Sequence, residues 1–103
     1  MSAGQESSCP RLRREMLPQP VDVTVSPHLN RSEATRLATQ QAQKLHPEVM
    51  LLAWFDRHTG DYSPAITCCR EDVPGWLDYA LSRGADLIIS INGEEYVFAY
   101  KKL

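Results

Sequence analysis

The chain has 103 residues, 43% of them hydrophobic and 23% charged, enough for one domain with its own core and too few for two. Eleven basic and 13 acidic residues leave a formal net charge of -2, which excludes the broad basic surface that nucleic-acid and anionic-membrane binding require. A signal-peptide core and an apolar run of about 18 residues are both missing from the sequence, so the expected location is cytoplasmic.

Residues 1–19 mix Ser, Gln, Arg and Pro with neither hydrophobic period, and read as a disordered tail ahead of a single domain over 20–103. Val21, Val23 and Val25 then alternate with Asp22 and Thr24, the pattern of a half-buried strand that Pro27 stops. Asn30 followed by Glu33 spells a capping box, and Ala34, Leu37, Ala38, Ala42 and Leu45 recur at helical spacing, so a helix runs to His46, before Pro47. Val49 to Phe55 reads VMLLAWF, which predicts a central strand buried on both faces and, after a helical crossover, parallel to the first. Asp56 to Asp61 form a polar turn, and Tyr62 to Ile66 an irregular edge strand, because Pro64 cannot donate to a ladder.

Asp72 is positioned to cap a second helix with Pro74 in its first turn. Trp76, Leu77, Ala80 and Leu81 form its inward stripe, and Gly84 supplies a left-handed end. Leu87 to Ile91 and Tyr96 to Tyr100 flank Asn92-Gly93, which predicts a hairpin closed by a two-residue type I′ turn. The expected fold is α+β, in the order β-α-β-(β)-α-β-β, with a mixed sheet of four or five strands and both helices on one face. Strands two and five are apolar on both faces, so the uncovered face predicts a homodimer formed through the sheet.

Three cysteines, Cys9, Cys68 and Cys69, are too few and too unevenly placed for a disulfide framework. Cys68 and Cys69 precede a helix start, where amide dipoles and Arg70 favour thiolate while Glu71 and Asp72 oppose it. In an extended segment their side chains point to opposite faces, so one is expected buried and the other exposed. Asp56 and His58 are the polar groups that accompany this candidate thiol site, but they lack zinc-ligand spacing, and no metal or cofactor is expected. Trp54 and Trp76, with Tyr62 and Tyr79, read either as core or as an aromatic cleft for a flat ligand.

Ala53-Trp54-Phe55-Asp56, Thr59-Gly60, Ser63-Pro64, Cys68-Cys69, Pro74-Gly75-Trp76 and Glu95-Tyr96-Val97-Phe98, taken together, resemble a small uncharacterised α+β domain family of anaerobic bacteria and archaea. The likeness covers residues 20–103 and implies a compact stand-alone domain, with no catalytic residues to carry over. No phosphate loop, nucleophile elbow or zinc-protease motif is present. The functional expectation is a non-catalytic accessory or interaction module with a protein partner and neither nucleic acid nor membrane. The alternative is a thiol-based redox or metal-handling protein using Cys68 and Cys69.

Overall fold

A computed structural model describes residues 11–66 and 73–103. The alternating valines form β1 (Val21–Val23), two residues shorter than their pattern. The Val25 amide donates instead to Asn92 Oδ1 at 2.8 Å, so a side chain takes the place of the next ladder bond. The capping box forms as expected: Asn30 Oδ1 accepts from the Glu33 amide at 2.8 Å, and Glu33 Oε1 accepts from the Asn30 amide at 3.1 Å. From it runs α1 (Arg31–Leu45), with His46 at its C-cap.

The apolar run becomes β2 (Val49–Asp56), followed by the two-residue β3 (Tyr62–Ser63), which stops where Pro64 lacks an amide proton. The second helix, α2 (Gly75–Ser82), has Pro74 at its N-cap, one position before the expected first turn; Asp72 lies outside the described residues. Two strands, β4 (Leu87–Ile91) and β5 (Tyr96–Lys102), complete a five-stranded sheet of order β1-β4-β5-β2-β3. Among the described residues, β1 and β4 pair in parallel and the other three pairings are antiparallel. The α+β class and the element order are those expected from the sequence.

Four details differ from expectation. β1 and β2 run in the same direction, but β4 and β5 lie between them. β2 is not the centre of the sheet: β3 pairs only with Trp54 and Phe55, and Met50 and Leu51 are exposed. The middle belongs to β4 and β5, whose stretches Leu87–Ile91 and Tyr96–Tyr100 are buried throughout. An unbroken apolar run is compatible with either position, because it records the burial a strand tolerates and not its neighbours. The hairpin loop spans Asn92 to Glu95, four residues and not two, with Asn92, Gly93 and Glu94 all at positive φ and the Glu95 amide bonded to the Ile91 carbonyl at 2.9 Å.

The fourth difference concerns the layers. The two helices pack on opposite faces, not on one. Ala34, Ala38 and Ala42 of α1 meet Ile89, Ile91, Tyr96, Phe98 and Tyr100; small side chains on the helix let it approach the large ones on the sheet. Trp76, Leu77 and Ala80 of α2 meet Ile88, Val97, Ala99 and Ala53 on the other side. Because α2 has only eight residues, it leaves part of that face open, and the N-terminal segment fills it. Leu12 and Leu17 are 7% and 4% exposed within this cluster, with Met16 against them, and Arg14–Met16 form a 3-10 turn. Residues 11–19 are therefore not a disordered tail, and their three apolar side chains are too few to register as a period. Both faces are covered within one chain, which removes the reason for expecting a homodimer through the sheet.

Candidate functional site

Alternation along β2 divides the sequence-predicted candidates between the two faces. Trp54 packs with the α1 cluster, and Asp56, two residues on, shares that side. Trp76 belongs to the opposite face, where its ring stacks on Phe55 with centroids 5.5 Å apart and planes 3° from parallel. The structure thus brings Trp54, Asp56 and His58 together and separates them from Trp76. Cys68 and Cys69, the candidate thiol site, lie outside the described residues.

On the α1 side, Asp56 is a buried carboxylate, 4% exposed, at the mouth of the polar turn. Its Oδ1 accepts the His58 amide proton at 2.9 Å, and its carbonyl accepts the Gly60 amide at 2.8 Å. Arg31, the first residue of α1, sits with its guanidinium 4.5 Å above the Trp54 ring, 3.3 Å from Asp61 Oδ2 and 3.9 Å from Asp56 Oδ2. The His58 ring lies 5.5 Å from that of Tyr96 and 3.7 Å from Glu95 Oε1. Tyr96 donates its hydroxyl proton to the Leu29 carbonyl at 3.1 Å, and burial, helped by Asp56 and Glu95, raises its pKa and keeps the phenol neutral. Here the carboxylates close a turn and anchor the start of a helix. Among the described residues no cluster of His, Cys, Asp or Glu is arranged to hold a metal ion.

The α2 face holds a cavity of about 400 Å³. Arg11 and Leu12 of the N-terminal segment form one wall, Phe55, Arg57 and Tyr62 the floor, and Pro74, Gly75 and Trp76 at the start of α2 another wall. Phe55 and Tyr62 are direct cross-strand partners, so both rings stand on the same side of the sheet. Trp76 is 2% exposed, its ring stacked on that of Phe55, whereas Tyr62 is 39% exposed. The Arg57 guanidinium lies 5.5 Å from the Phe55 ring centroid, and its Nε donates to the Glu94 carbonyl at 3.0 Å. Sequence reasoning missed Arg57, although its place two residues after Phe55 sets both on one face. It also missed Arg11 and Arg31, whose roles depend on contacts made across the fold and leave no local signal.

Comparison with known proteins gives three findings. Residues 18–100 match a family described as Domain of unknown function (DUF5619). An uncharacterized protein of Archaeoglobus fulgidus is 36% identical over 78 residues, which cover 76% of this chain and 82% of that protein. A crystal structure of the protein AF1514, also from Archaeoglobus fulgidus, is similar with a TM-score of 0.72 and 31% identity, covering 84% of this chain and 96% of that one.

Proposed function

The chain belongs to the DUF5619 family of domains of unknown function, and from that premise we propose that it is a non-catalytic binding module whose small-molecule site is the α2-face cavity. The observation that carries this reading is the cavity's composition. Its described lining supplies arginines, aromatic rings, aliphatic side chains and glycines, and no carboxylate, imidazole or thiol. Such a surface binds and orients: besides the arginines, the described lining supplies one hydroxyl, that of Tyr62, and no acid–base pair. The volume falls within the ordinary range for small-ligand sites, roughly 300–1,000 Å³. No helix among the described residues is long and apolar enough to cross a membrane.

A chemically mixed fragment library, screened by ligand-observed NMR against the full chain and an Ile66→Trp variant, tests this reading. Ile66 borders the cavity, so the larger ring is expected to occupy it. Saturable binding by the natural chain that the variant loses while keeping its thermal stability supports the site. The absence of saturable fragments, or fragments retained by the variant, contradicts it.

A further inference from the structure

On the premise that the cavity is the binding site, its charges and surfaces narrow the occupant to one chemical class. Arg11 and Arg57 are both exposed, and among the described residues neither has a carboxylate within ion-pair distance. This is notable in a chain with more acidic than basic residues. Neighbouring arginines are matched: Arg13 to Glu15, Arg14 to Asp22 and Glu94, and Arg31 to Asp61 and Asp56. Among the described residues, two such cations on one cavity lining favour an anionic ligand.

Arg57 is also held in place. Its ring contact with Phe55 and its Nε bond to the Glu94 carbonyl fix the plane of the guanidinium. That bond uses Nε, leaving the terminal amino groups, whose fork geometry suits a carboxylate or phosphate. Beside it, the cross-strand partners Phe55 and Tyr62 set two aromatic rings on the same side of the sheet, complementary to a flat ring in edge contact.

We propose that the cavity takes a planar aromatic acid, its ring against Phe55 and Tyr62 and its carboxylate or phosphate at Arg57, with Arg11 adding charge from the opposite wall. The shared chemistry is an oxyanion on an aromatic ring.

Calorimetric titration of the full chain with a matched probe set tests the proposal. Naphthoate and naphthyl phosphate carry both features, naphthamide lacks the charge, decalin carboxylate lacks the planar ring, and inorganic phosphate lacks the ring altogether. At least one of the first two is expected to bind about ten-fold or more tightly than each of the other three. Arg57→Gln is expected to abolish the advantage of naphthoate over naphthamide while leaving naphthamide binding unchanged. The preference between naphthoate and naphthyl phosphate identifies which acid the site is built for. Naphthamide, decalin carboxylate or inorganic phosphate binding as tightly as the better of the two acids overturns the proposed class. If none of these probes binds while library fragments still occupy the cavity, the class falls and the site stands; loss of every cavity-bound fragment removes both.

Discussion

Arg14 and Glu94 stand eighty positions apart in the chain and 2.7 Å apart in the fold. Arg14 also grips both carboxylate oxygens of Asp22 at 2.7 Å, and Glu94 accepts the buried Ser90 hydroxyl proton at 2.8 Å. Because the Glu94 carbonyl receives Arg57 Nε, this one residue ties the N-terminal segment to the arginine on the cavity floor. Glu94 holds this position at φ 67°, a left-handed backbone that its contacts must maintain.

Glu94→Ala is therefore expected to lower stability by about 1–3 kcal/mol, since it leaves the buried Ser90 hydroxyl without its carboxylate partner. It should also weaken naphthoate binding by loosening the loop that orients Arg57. Urea unfolding and calorimetry check the two effects, and wild-type values in both would show that Glu94 links nothing.

The Arg14–Asp22 pair has a pH signature. The hydrogen bond from Arg14 lowers the Asp22 pKa, so its contribution to stability is complete above the ordinary carboxyl value and is lost as pH falls through the depressed one. Arg14→Gln should accordingly cost stability at neutral pH, with the difference from the natural chain shrinking below about pH 4. Both side chains are solvent-exposed, so added salt should shrink the same difference. Thermal unfolding across pH checks this, and a difference that grows on acidification would contradict it.

Leu12 and Leu17 give the N-terminal segment a measurable role in the core. Each substitution to Ala is expected to cost about 2–5 kcal/mol, the range for a buried leucine. Truncation through residue 15 should lower the melting temperature by several degrees for the same reason, because it removes Leu12 and Arg14 together. An unchanged melting temperature would return this segment to the status of a tail.

At Gly93, φ is +67° and a β-carbon would meet nothing within 4 Å. The penalty for a side chain there is thus purely conformational. Gly93→Val is expected to cost about 1–2 kcal/mol and Gly93→Asn distinctly less, because Asn tolerates the left-handed region. Equal stabilities by thermal unfolding would show that the loop relaxes to another conformation.

What the sequence discloses follows from how local the underlying physics is. The Asn30–Glu33 capping box, the end of α1 at His46 and the left-handed Gly84 each depend on residues a few positions apart, and all appear in the structure, whereas the edge strand expected over Tyr62 to Ile66 keeps only Tyr62–Ser63, stopping before Pro64. The assignment of helices to faces does not. Ala34, Ala38 and Ala42 mark an inward stripe without saying which side of the sheet receives it, and α2 carries a comparable stripe. The site was legible in pieces: Tyr62 and Trp76 were named as possible cleft aromatics, but Arg11 and Phe55 meet only through the folded N-terminal segment. Asp56 reads in the sequence as a polar companion of the candidate thiol site, whereas its buried carboxylate organises a turn.

The most direct measurement of the central claim is an amide chemical-shift map of the full chain titrated with naphthoate. The cavity account predicts saturable shifts concentrated at Phe55, Arg57, Gly60, Tyr62, Gly75 and Trp76, with Ala34, Ala38 and Ala42 on the opposite face unmoved. Saturable shifts centred on the α1 face would contradict the cavity account, and no saturable shift at the cavity residues with either naphthoate or naphthyl phosphate would contradict its assignment to an aromatic acid.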